Sequence, residues 1–134
     1  MKIPPNIPLY GDPNWRGPCP AETAEAVTLF QAVRAQWPNT LGKLAVHIKN
    51  EGKRRHGQVS WDKAQGLVKG ASDVMIPGSP AFVCELKRRD RTKSKISKEQ
   101  IEYLEAAQEN GAWVCIALGW EASFEAVKEW HSNI

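Results

Sequence analysis

The chain has 134 residues, 42% of them hydrophobic and 25% charged, with a net charge of +3. That length supports a single domain burying about two thirds of its unfolded surface. The composition argues against a disordered chain and against a membrane span, while the small positive excess says less about partners than the placement of the cations does.

Residues 1–20 hold six of the nine prolines and no apolar run of signal-peptide length, and are expected to form an extended arm. Tyr10 and Trp15 would anchor this arm on its own domain or on a partner subunit, and residues 21–134 would form the domain proper. From Ala21 to Trp37 the spacing of Val27, Phe30, Val33 or Arg34, and Trp37 predicts a helix that starts after Pro20 and stops before Pro38. Glu22 and Glu25 share a face of its first turn, where acidic residues also complement the helix dipole.

Residues 44–48 read as the first strand, with His47 inside an apolar run. A loop follows with two glycines and the cations Lys49, Lys53, Arg54 and Arg55. Residues 60–69 read as a short helix capped by Ser60, ending at Gly70, where glycine would let the backbone turn closely past the next segment.

Residues 70–76 and 81–87, separated by Pro77-Gly78-Ser79-Pro80, predict a β-hairpin. Alternation along a strand turns Glu85 and Lys87 to one face and Cys84 and Leu86 to the other. Antiparallel pairing sets Asp73, at the start of one strand, beside Glu85, at the end of the other. Two carboxylates meeting there with an ammonium alongside suit Mg²⁺, a hard ion that takes oxygen ligands, and Lys87 would orient an attacking water or stabilise charge on a phosphate. Lys87 to Lys95 then place six basic residues in nine, a stretch suited to gripping a phosphate backbone.

Ser97 and Gln100 have the spacing of a capping box, opening a helix with Ile101, Leu104 and Ala107 or Gln108 on its apolar face. Residues 113–118 predict a buried strand, and residues 121–130 a closing helix with Phe124 and Val127 inward. Cys19, Cys84 and Cys115 lack metal-ligand spacing, and the latter two lie in apolar runs, so reduced core cysteines of a cytoplasmic protein are expected.

Asp73, then Glu85-Leu86-Lys87 across a hairpin turn, resembles the signature of the PD-(D/E)XK nucleases, with Ser72 where the name has proline. The ordered series His47 to Gly52, Lys69 to Asp73, Glu85 to Lys87 and Ile96 to Gln100 is similar to the VRR-NUC (virus-type replication-repair nuclease) subfamily, over roughly residues 21–127. The resemblance implies an α/β fold with a restriction-endonuclease-like core, a mixed central sheet flanked by helices, with the site at one sheet edge. It implies Mg²⁺, replaceable by Mn²⁺, held by Asp73, Glu85, the Leu86 carbonyl and a helix glutamate that is Glu22 or Glu25, with Lys87 and Gln100 assisting.

Stand-alone members of that subfamily are phage or bacterial proteins that dimerise and cut branched DNA. The resemblance thus implies a homodimeric endonuclease of the bacterial or phage-infected cytoplasm, with Holliday-junction resolution as the leading role. Backbone contacts to DNA would come from Lys49, Asn50, Lys53, Arg54, Arg55, Lys69, Arg88, Arg89, Arg91, Lys93 and Lys95. Two other readings stay open: a basic nucleic-acid-binding protein without catalysis, and a nuclease for flap or nicked DNA or for RNA.

Overall fold

Alternating β-branched, aromatic and cysteine residues draw five short segments into one mixed sheet: β1 (Leu9–Tyr10), β2 (Val46–His47), β3 (Val74–Ile76), β4 (Phe82–Lys87) and β5 (Trp113–Leu118). The order across the sheet is β1-β5-β4-β3-β2. β4 pairs parallel with β5, and β5 with β1, whereas β3 runs antiparallel to both β4 and β2. The computed structural model describes residues 1–49 and 63–134. Asn50, Lys53, Arg54, Arg55 and the first residues of the predicted 60–69 helix lie outside the described residues.

Helices cover both faces. α1 (Glu22–Gln36) and α4 (Trp120–Ser132) pack on one side with Phe82, Cys84, Leu86, Cys115 and Ala117, while α3 (Lys98–Glu109) covers Val83, Val114 and Ile116 on the other. β4 is buried along its whole length, the pattern of a central strand flanked by neighbours and covered on both faces. The β4-α3-β5 connection is the helical crossover that a parallel pair requires.

Several elements differ from the sequence expectation for identifiable reasons. The first twenty residues lie on their own domain with Tyr10 and Trp15 in contact with it, one of the two expected placements, but they also contribute an edge strand, Leu9 and Tyr10 paired with Ile116 and Ala117, and a core residue, Ile7, under α3. Residues 41–44 form a helical turn, α2 (Leu41–Leu44), so the strand predicted at 44–48 shrinks to β2. In α1 the buried face is Ala26, Leu29, Phe30 and Val33, and Val27, expected inward, is 58% exposed. The chain turns at Gly66, with φ at +93°, before reaching Gly70.

Gly70 has φ at +85°, and a Cβ there would lie 2.5 Å from the carbonyl carbon and oxygen of Glu99. Only glycine meets both conditions. The segment entering β3 therefore lies directly against the first turn of α3.

Candidate active site

Asp73 stands one residue before β3, and Glu85 and Lys87 close β4. The register sets Val74 opposite Cys84. The Asp73 carboxylate reaches across the open end of the hairpin and accepts a hydrogen bond from the Leu86 N–H at 3.0 Å. The N–H and carbonyl of one strand residue point to the same edge, so the Leu86 carbonyl is turned to the side on which Asp73 stands.

Glu85 and Lys87 face α3, as the alternation predicts, and both are almost wholly buried, at 1% and 3% exposure. Lys87 Nζ donates to the Lys95 carbonyl at 2.6 Å and to Gln100 Oε1 at 3.2 Å. It lies 3.5 Å from Glu85 Oε1 and 3.9 Å from Glu22 Oε1.

Gln100 carries two roles in one side chain. Its Oε1 accepts from the Ser97 N–H and completes the capping box of α3. Its Nε2 donates to Glu85 Oε1 at 2.9 Å, which fixes that carboxylate from the helix side.

The carboxyl groups of Asp73 and Glu85 interact directly, and burial drives both above the ordinary carboxylate range. The displacement is larger for Glu85. Burial is its first cause, the adjacent Asp73 charge adds to it, and Lys87 offsets only part. Asp73 is restrained by the bond to Glu85, by Lys87 and by the Leu86 N–H.

Among the described residues, Glu85 Oε2 and Ser72 Oγ are buried side-chain polar atoms without a hydrogen-bond partner. An acceptor-only oxygen so placed, beside a second carboxylate, needs either a proton or a cation. The donor set of hard carboxylate oxygens and a backbone carbonyl fits Mg²⁺ or Mn²⁺.

The two candidate helix glutamates part company. Glu22, Thr23, Ala26, His47, Asp73 and Leu86 line one small cavity of about 10 Å³, roughly the room of one water-sized species. Glu25 lies elsewhere: its Oε2 accepts from the Trp120 N–H at 2.6 Å, at the N-terminus of α4. Burial raises its pKa, with the Trp120 N–H opposing the rise. Glu25 is therefore not brought to Asp73, and its reading as a metal ligand is corrected. Among the described residues no group of three or more His, Cys, Asp or Glu side chains is placed so that it could hold a metal ion. Glu22 instead connects to the Asp73–Glu85 pair by way of Lys87.

Part of the basic stretch after β4 is engaged with the N-terminal segment. Arg88 donates to the carbonyls of Cys19 and Pro20, Lys93 donates to that of Gly17, and the Arg89 guanidinium lies 4.2 Å above the Trp15 ring. Asp90 accepts from the Thr92 hydroxyl and N–H and from the Gly17 N–H, bonds that hold its carboxyl well below the usual range. Arg88 is thus half-buried against the N-terminal segment, whereas Arg89 and Lys93 touch that segment yet stay exposed. Arg91 lines a groove along the same segment. Lys49 and Lys95 are exposed, and Lys69 pairs with Glu99 on the surface.

Sequence reasoning missed Ser94, whose hydroxyl donates to Glu22 Oε1 at 3.0 Å. A serine among six cations carries no signal of its own.

A mixed sheet with an acid–acid–lysine set at the open end of a central hairpin, covered by helices on both faces, is the restriction-endonuclease-like α/β fold. More narrowly, the chain has the fold of a VRR-NUC domain. A solved structure described as "VRR_NUC domain protein" is similar to it with a TM-score of 0.70, over 88% of this chain and 92% of that one, at 16% sequence identity. No family model and no curated protein matches the sequence. Among the described residues no helix is long and apolar enough to cross a membrane.

Proposed function

We propose that this protein is a metal-dependent endodeoxyribonuclease of the PD-(D/E)XK type, acting on branched DNA. One observation carries the reading: a buried lysine held between Glu85, Gln100 and Glu22, next to an Asp73–Glu85 pair with an orphaned carboxylate oxygen. A fold that buries Glu85 and Lys87 together beside a half-buried Asp73 sustains a large desolvation cost, which supports a functional cluster. The fold shared with a VRR_NUC domain protein supports the same class.

In this reading Asp73, Glu85, Glu22 and the Leu86 carbonyl hold Mg²⁺ or Mn²⁺. Bound there, the ion lowers the pKa of a coordinated water and neutralises charge on the scissile phosphate. The chain's residues supply the rest. Lys87 orients the attacking water and offsets charge developing on the phosphate, and its bonds to the Lys95 carbonyl and Gln100 fix the ammonium in advance. Gln100 holds Glu85 in position. Lys49, Lys69 and Lys95 contact the phosphate backbone, giving affinity that falls with salt and does not read bases.

Two copies related by a two-fold axis would set two such sites on opposed strands, which symmetric cleavage of a four-way junction requires. Junction resolution by a homodimer is the specific role we propose. The test incubates purified protein with labelled four-way, flap, nicked, linear and single-stranded DNA and with RNA, with Mg²⁺ or Mn²⁺. Paired symmetric nicks in the four-way junction are expected. Lys87→Ala should reduce the rate by about 100-fold or more, and Asp73→Ala should abolish Mn²⁺ binding. Metal-independent DNA binding with no cleavage of any substrate would overturn the reading in favour of a non-catalytic binding protein.

A further inference from the structure

The N-cap of α1, Ala21, makes no side-chain capping bond, so nothing in the helix itself fixes the first residue, Glu22. Its carboxylate is held from outside. Ser94 Oγ donates to Glu22 Oε1 at 3.0 Å and accepts from the Arg88 N–H at 3.1 Å. The Arg88 guanidinium holds the Cys19 and Pro20 carbonyls, immediately before the helix, at 2.7 and 3.0 Å. The next residue, Lys95, takes Lys87 Nζ on its carbonyl at 2.6 Å. Ser94 is 8% exposed, whereas the Glu22 side chain is 34% exposed, so the buried hydroxyl is the fixed member of the pair.

We propose that Ser94 is a positioning residue for Glu22: its hydroxyl, polarised by the Arg88 N–H, selects the rotamer that sets this carboxylate beside Lys87 and in the cavity shared with Asp73. Without that bond a first-turn glutamate has its own helix N–H groups as competing partners. The loop after β4 then serves the site by its hydroxyl and backbone as well as by its charge. Two successive residues, Ser94 and Lys95, hold a carboxylate from α1 and the ammonium from β4 at one spacing. The inference rests on the reading of Glu22 as the helix-borne metal ligand.

The experiment measures Mn²⁺ affinity calorimetrically on the full chain without DNA, for the native protein, Ser94→Ala, Ser94→Thr, Glu22→Gln, the double variant Glu22→Gln with Ser94→Ala, and Asp73→Asn. Ser94→Ala is expected to weaken Mn²⁺ binding by about 10-fold, the low end for loss of a partner that orients a ligand. Ser94→Thr, which keeps the hydroxyl, should restore it, and Ser94→Ala should add nothing in the Glu22→Gln background. Native affinity in Ser94→Ala, or an equal loss with and without Glu22, overturns the proposal. If Ser94→Ala does not fold, Ser94→Cys, of similar volume with a weaker donor and acceptor, is read in the same way.

The wider reading fails separately, when Asp73→Asn leaves Mn²⁺ binding intact. If Asp73→Asn abolishes binding and Glu22→Gln does not change it, the metal site stands and the Ser94 proposal falls.

Discussion

Glu85 sits where the fold disfavours its charge: buried, facing Asp73, with one oxygen lacking any donor. Glu85→Gln supplies an N–H toward that neighbour, and should stabilise the metal-free protein by about 1–3 kcal/mol while abolishing cleavage. Paired denaturant titrations and activity assays check both halves. The pH dependence follows from the same group. Its folded pKa lies above the ordinary 4.5, so between the two values the folded state holds more protons than the unfolded one, and stability falls as pH rises through that window. Metal binding competes with protonation of the Glu85 carboxyl, so Mn²⁺ affinity should rise over the same interval. Calorimetry at several pH values should record both trends, with proton release on binding. The juxtaposition of Asp73, Glu85 and Lys87 was legible in the sequence because strand alternation is a local rule, and cap spacing showed Gln100 as part of a capping box, while its place beside Glu85 was implied only by the family resemblance. The choice between Glu22 and Glu25 was not, since three residues apart they share a helix face. Only the position of α4, whose first N–H takes Glu25, separates them.

The hairpin is secured at both ends. Its turn lies under α4, where the Trp130 indole N–H donates to the Pro80 carbonyl at 2.9 Å and a Cβ on Gly78 would stand 2.7 Å from the indole. Its open end meets α3 through the close approach of Gly70 to Glu99 and the bond from Gln100 to Glu85. Gly70→Ala violates both the positive φ and the contact distance. It should destabilise by about 1–3 kcal/mol and reduce cleavage more than a surface substitution of equal thermal effect, as melting curves run beside rates would reveal. The hairpin, α1, α3, β5 and α4 were readable from periodicity and caps. β1 was not, because two strand residues between Pro8 and Gly11 show no alternation, and their pairing depends on β5, far along the chain. The structural role of the Arg88–Lys95 loop was hidden for a related reason: its charge suggests an anionic partner and gives no sign that Arg88 and Lys93 also bond carbonyls of Gly17, Cys19 and Pro20.

Across the whole molecule, the first twenty residues close the structure rather than trail from it. Ile7 is 3% exposed beneath α3, and the Gly17–Pro20 stretch is bonded to the loop whose Ser94 hydroxyl donates to Glu22. Ile7→Ala should therefore cost about 2–4 kcal/mol, measurable by chemical denaturation, and removing residues 1–20 should cost both stability and metal affinity. The sheet edge also unites the extremes of the chain. Tyr10 donates its hydroxyl to Glu129, 119 positions away, and its ring lies against Trp113. β5 lies between β1 and β4, and α4 packs against all three, so the strand that carries Glu85 and Lys87 is held in place by segments from both halves of the sequence.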